Sequence, residues 1–124
     1  MIEVLDEALL HGVRAALAED IGSGDITAAL IPMEQQAQAH VLCREDAVLC
    51  GMAWFNAVFA EIDTAVDVRW QQKDGDALAA GDTLCTLHGP ARAILSGERT
   101  ALNFLQTLSA TATLSRRYAE CVAD

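Results

Sequence analysis

Residues 65–87 read AVDVRWQQKDGDALAAGDTLCTL. Val66, Val68 and Trp70 alternate with Asp67 and Arg69, which is the period of a half-buried strand. KDGD at 73–76 is a tight turn, AAGD at 79–82 is a second turn, and TLCTL at 83–87 alternates again. The passage therefore holds two turns bounded by apolar pairs, Leu78 and Leu84 among them.

Upstream, GMAWFNAVFAEI at 51–62 places Trp54, Phe55, Val58, Phe59 and Ile62 on one broad apolar face, the pattern of a core helix. QAQAHVLCR at 36–44 and the residues 48–50 read as short strands around Glu45 and Asp46. At the start of the chain, Ile2, Leu5, Leu9, Val13, Ala16 and Leu17 recur at three- and four-residue steps, one face of an amphipathic helix over 2–17. EDIGSGDIT at 19–27 then collects glycines, aspartates and a serine, so the reading ends that helix and turns the chain there. Downstream, helical periodicity returns from Ile94, with a break expected near 109–113 before a second helix through Tyr118 and Val122. No internal repeat, low-complexity tract or linker is evident. This order of elements supports one α+β domain with a mostly antiparallel sheet packed by helices.

Composition narrows the function classes. The 124 residues are 52% hydrophobic, and 18 acids against 8 Lys and Arg give a net charge of −10. No basic footprint is offered to nucleic acid or to an anionic membrane surface. No apolar run approaches the roughly 20 residues of a membrane helix. The N-terminus carries acids where a secretory signal carries Lys or Arg, so the expected location is cytoplasmic. Apolar content this high in a small domain leaves some for a partner. Cys43, Cys50, Cys85 and Cys121 form no CxxC pair and have no metal-ligand spacing to His11, His40 or His88, so free thiols and no metal site are expected.

Residues 94–110, ILSGERTALNFLQTLSA, carry the one arrangement that points to chemistry. At about 100° per residue, Ile94, Ala101, Phe104, Leu105 and Leu108 fall on one side of a helix. Arg99, Asn103 and Gln106 fall on the opposite side, with Ala110 in line beyond them. Such a stripe reads first as a solvated outer face. It nevertheless lacks the Glu and Lys that exposed faces of acidic domains carry. The planar fork of Arg99 suits bidentate capture of a carboxylate or phosphate, which makes it the best anion-binding candidate. Glu98, beside it, either orients Arg99 or meets solvent. The GSG of 22–24 lacks the third glycine and the preceding strand of a phosphate-binding loop. Asp20 and Asp25 read as turn and capping residues in a Gly-rich bend rather than as paired catalytic carboxylates.

The turns at 73–84 resemble the GDxVxxGDxL passage of β-hammerhead and barrel-sandwich domains. In order along the chain, EDIGSGDIT (19–27), REDAVLCG (44–51), KDGDALAAGDTLCTLHGPARAIL (73–95) and ERTALNFLQTLSATAT (98–113) resemble the N-terminal domain of the quinolinate phosphoribosyltransferases. That resemblance implies an α/β-hammerhead-like domain over 1–110, with 111–124 beginning the helix that leads into an absent C-terminal α/β barrel. It also implies an enzyme of NAD biosynthesis that makes nicotinate mononucleotide, carbon dioxide and pyrophosphate from quinolinate and phosphoribosyl pyrophosphate, with Mg2+ held by the barrel.

In that family the subunits form homodimers in which one N-terminal domain covers its partner's barrel. The arginine of ERTALN, here Arg99, reaches a quinolinate carboxylate in the neighbouring subunit's site. No catalytic residue, metal ligand or cofactor is expected within these 124 residues, and no phosphoribosyl transfer by the chain alone. With a net charge of −10, the positive field for two anionic substrates has to come from elsewhere. Where the family reads LSGIAT this chain has LSATAT, with Ala110 and Thr111 altering the local helix packing. Two alternatives stay open: a homologue of the same fold associated with molybdenum transport, and a lipoyl- or biotinyl-like carrier displaying Lys73.

Overall fold

The computed structural model describes residues 2–22 and 26–123. Its elements run α1 (Ile2–Gly22), α2 (Ile26–Ala29), β1 (Gln36–Leu42), β2 (Ala47–Val48), α3 (Met52–Ile62), β3 (Asp67–Trp70), β4 (Ala77–Leu78), β5 (Thr83–Pro90) and α4 (Ala91–Ala123). A three-stranded antiparallel sheet has the order β1-β5-β3, and β2 pairs with β4 in a separate antiparallel ribbon. This is the expected α+β architecture.

The strands sort their side chains by alternation, as the sequence requires. Along β1 the residues alternate between exposed and half-buried, with Ala37, Ala39 and Val41 turned inward. In β5 strict alternation fails, because Leu84, Cys85 and Leu87 are all buried. A bulge accounts for this: Val41 lies opposite Cys85 but Leu42 lies opposite Thr83, so Leu84 is the extra residue. One inserted residue bends the strand and re-aims its neighbours. Phe55 of α3 centres the core, with its ring centroid 5.3 Å from that of Phe59 and 5.2 Å from that of Trp70. These are tilted and edge-on geometries that aromatic pairs favour.

The double turn is built twice from the same bonds. Asp76 accepts the Lys73 N–H at 3.0 Å and Asp82 accepts the Ala79 N–H at 2.9 Å, each through its carboxylate. The glycine before each aspartate has positive φ, 93° at Gly75 and 96° at Gly81. Both open onto free space, so conformation and not crowding selects glycine there. The Gly75 N–H donates to the Leu49 carbonyl at 2.8 Å and the Leu49 N–H returns to the Asp76 carbonyl at 3.0 Å. Gly81, Cys43 and Asp82 repeat this at 2.7 and 2.8 Å. The repeat is one of hydrogen bonding at a six-residue offset, which the sequence does not announce as a duplication.

Two expectations are corrected. Helix α1 does not stop at Leu17 but continues through Glu19, Asp20 and Ile21 to Gly22. Of the bend expected over 19–27, Ser23, Gly24 and Asp25 lie outside the described residues. Helix α4 is one continuous helix of 33 residues with no break at 109–113. The Ser and Thr hydroxyls there are engaged by another element. Ser109 Oγ accepts the Cys50 N–H and donates to the Cys50 carbonyl, both at 3.0 Å. Thr113 Oγ1 accepts the Val48 N–H at 2.9 Å and donates to the Ser109 carbonyl at 2.7 Å. Spaced four residues apart on one helical face, the two hydroxyls close the edge of β2 that β4 leaves open.

Gly97 lets α3 and α4 meet closely: a Cβ at that position would lie 2.7 Å from Phe59 Cε1 and 2.8 Å from Ile62 Cδ1. Further along α4, Leu114, Tyr118 and Val122 are exposed. Such exposed apolar side chains account for part of the high apolar content of the chain.

Candidate functional site

The apolar face of α4 is where the helical wheel puts it. Ile94, Ala101 and Leu105 are buried, while Phe104 and Leu108 are half-buried. Arg99, Asn103, Gln106 and Ala110 are all exposed on the opposite side. Among the described residues Arg99 makes no hydrogen bond and no ion pair. Glu98, also exposed, does not pair with it, so of the two readings of Glu98 the solvent-facing one holds. A guanidinium with five donors thus stands unengaged on a face without acids.

Two partners of this helix were not legible in the sequence. Arg92 lies seven residues before Arg99 on the same stripe, yet it is committed to structure. Its Nε donates to the Ile31 carbonyl and its Nη2 to the Ala29 carbonyl at 3.1 Å, closing the chain that leaves α2. Thr100, next to Arg99, is the one buried polar side chain among the described residues. Its Oγ1 donates to Oδ2 of Asp20. Asp20 is therefore not a turn residue: it sits in the last turn of α1 and ties that helix to α4.

The remaining polar chemistry is bland. All four cysteines are free. Burial pushes the Cys85 thiol up to about 12, and burial followed by the nearby Asp74 carboxylate raises Cys50. Among the described residues no group of three or more His, Cys, Asp or Glu side chains could hold a metal. No helix of the described residues is long and apolar enough to cross a membrane. Lys73 opens the first Asp turn, with its own N–H held by Asp76.

The fold and this stripe define a class: an α/β-hammerhead-like domain whose longest helix displays an exposed arginine, Arg99, that makes no hydrogen bond or ion pair among the described residues. Residues 25–109 match the family described as the quinolinate phosphoribosyl transferase N-terminal domain, and the chain belongs to that family. The matched segment contains both Asp turns and Arg99.

Among curated relatives, the probable carboxylating nicotinate-nucleotide pyrophosphorylase of Bacillus subtilis is 41% identical over 106 residues, covering 86% of this chain and 37% of that protein. A decarboxylating quinolinate phosphoribosyltransferase of Nicotiana tabacum is 37% identical over 110 residues, covering 87% of this chain and 31% of its own length. The solved nicotinate-nucleotide pyrophosphorylase of Francisella tularensis superposes with a TM-score of 0.90 at 36% identity, over 95% of this chain and 42% of that one. The chain thus spans about a third of the length of the curated relatives it matches.

Proposed function

We propose that this chain is the N-terminal part of a quinolinate phosphoribosyltransferase, and that Arg99 supplies a guanidinium to one carboxylate of quinolinate. The site would be completed by an α/β barrel, contributed by the neighbouring subunit of a homodimer. The observation that carries the reading is the exposed, unengaged Arg99 on an acid-free helical stripe inside the segment that matches the family.

In the reaction, the pyridine nitrogen of quinolinate forms a bond to the ribose carbon that bears pyrophosphate. Pyrophosphate leaves with the bonding electron pair. The ring carboxylate beside the new bond is then lost as carbon dioxide, and a proton takes its place, giving nicotinate mononucleotide. This chain's share is positional: a fixed guanidinium orients the dicarboxylate and offsets its charge before the nitrogen attacks. A net charge of −10 on the chain makes the remaining cations, and the phosphoribosyl pyrophosphate site, the task of the barrel. In this reading Mg2+ would be held by the barrel, since the described residues offer no group of three or more His, Cys, Asp or Glu side chains for it. The exposed Leu114, Tyr118 and Val122 are consistent with a domain that covers another.

The test is Arg99→Ala in the complete polypeptide. Losing a charge-assisted pair worth about 1.5–3 kcal/mol raises the quinolinate KM roughly 10- to 100-fold. The melting temperature stays unchanged because the side chain is exposed and makes no hydrogen bond or ion pair among the described residues. An unchanged quinolinate KM overturns the assignment.

A further inference from the structure

The bond from Thr100 to Asp20 has a consequence for the residue next to Thr100. A threonine hydroxyl inside a helix ordinarily turns back to a carbonyl of its own helix, as Thr111 does to Thr107 and Thr113 to Ser109. Thr100, only 1% exposed, instead reaches a carboxylate 80 residues away in sequence. Hydrogen bonds to carboxylates are the stronger kind, and this one is partly shielded from water. Arg92 fastens the same passage of chain to α4 through the carbonyls of Ala29 and Ile31. The N-terminal part of α4 is thereby held on its polar side, while Gly97 and Ala101 hold it against the core.

We infer that Asp20 is a positioning residue for Arg99: by anchoring Thr100 it fixes the rotation of the helical turn that carries the guanidinium. The inference rests on the reading of Arg99 as a quinolinate ligand. Rotation matters because an extended arginine carries its fork roughly 9 Å from a helix axis, given a Cα radius of about 2.3 Å. A turn of about 10° there moves the fork by about 1.5 Å, whereas a bidentate pair tolerates only a few tenths. Apolar contacts alone are non-directional and resist such rotation weakly.

The experiment measures quinolinate KM and kcat in the complete polypeptide. The variants are Asp20→Ala, Thr100→Val, Thr100→Ser and Arg99→Ala, with Val13→Ala as a destabilised control whose buried side chain lies in α1 about two turns before Asp20. Asp20→Ala and Thr100→Val are expected to raise the quinolinate KM five- to twentyfold while kcat and the KM for phosphoribosyl pyrophosphate stay within twofold. Thr100→Ser, which keeps the hydroxyl, stays within twofold throughout. Val13→Ala lowers the melting temperature without raising KM.

If Arg99→Ala raises KM but Asp20→Ala and Thr100→Val do not, the positioning role is wrong while the ligand assignment stands. An equal rise in Val13→Ala also overturns it, by reducing the effect to general loosening. If Arg99→Ala leaves KM unchanged, the ligand assignment falls and takes the positioning role with it. Should Asp20→Ala fail to fold, the contrast between Thr100→Val and Thr100→Ser decides.

Discussion

Three hydroxyls within five residues of α4 should respond to removal with opposite signs. Ser109 Oγ satisfies both the N–H and the carbonyl of Cys50, two residues beyond β2. Ser109→Ala orphans both groups. A buried unsatisfied polar group costs about 1–3 kcal/mol, and the lower half of that range applies because Cys50 is half-buried. Alanine gives back roughly 0.5 kcal/mol in helix propensity. The net loss is about 0.5–1.5 kcal/mol, or roughly 2–6 °C in melting temperature for a domain of this size.

Thr113→Val keeps the shape and removes the acceptor for the Val48 N–H, which belongs to a buried residue. It should cost about 1–2 kcal/mol with no propensity compensation. Thr111 is exposed and bonds only within its own helix among the described residues. Thr111→Ala should therefore stabilise by about 0.5 kcal/mol. Urea and thermal denaturation of the three single variants read the signs directly. If Ser109→Ala and Thr113→Val fall within about 1 °C of the parent, or shift in the same direction as Thr111→Ala, then α4 does not serve as the missing edge of β2.

Two glycines in helices should also part company. Gly97→Ala drives a methyl into Phe59 and Ile62 and should cost about 1–3 kcal/mol by overpacking, whereas Gly12→Ala, with nothing within 4 Å of the new methyl, should gain about 0.5–1 kcal/mol; the midpoint of urea unfolding checks both. Cys85, its thiol pushed up to about 12 by burial, should resist maleimide at pH 8 until the protein unfolds, while exposed Cys121 reacts at once; mass spectrometry of partially labelled protein shows the order. The folded pKa of Cys85 lies above the unfolded one, so its contribution to stability is intact below about pH 8.5 and lost as pH rises towards 12, a loss that Cys85→Ala should remove.

The features readable from sequence are those fixed by neighbours a few residues away. Helix α3, strands β1 and β3 and the Arg99 stripe all follow from local period, and both Asp turns follow from their Gly-Asp pairs. What escaped depends on distant partners. Glu19-Asp20-Ile21 looked like the start of a bend, but Asp20 stays helical with Thr100 as its distant partner. The Ser/Thr-rich stretch at 109–113 looked like a break because such side chains compete for backbone groups. In the fold they are spent on Cys50 and Val48 instead. The bulge at Leu84 is set by pairing with β1, and Arg92, which lies before the helix start expected at Ile94, is engaged by the carbonyls of Ala29 and Ile31. Arg99 itself was legible because its exposed place on the helix follows from the helical period alone.

An unbroken α4 also works as a rigid shaft. Its 33 residues extend about 50 Å at 1.5 Å per residue, and Arg117, five turns beyond Arg99, returns to the same azimuth about 27 Å away. The exposed Leu114, Tyr118 and Val122 are thereby clocked to the guanidinium. One residue inserted near 110–113 would swing the two ends out of phase by about 100°, while seven would bring them to within about 20° of their original alignment. Length variation in this helix is therefore constrained by angle before it is constrained by distance.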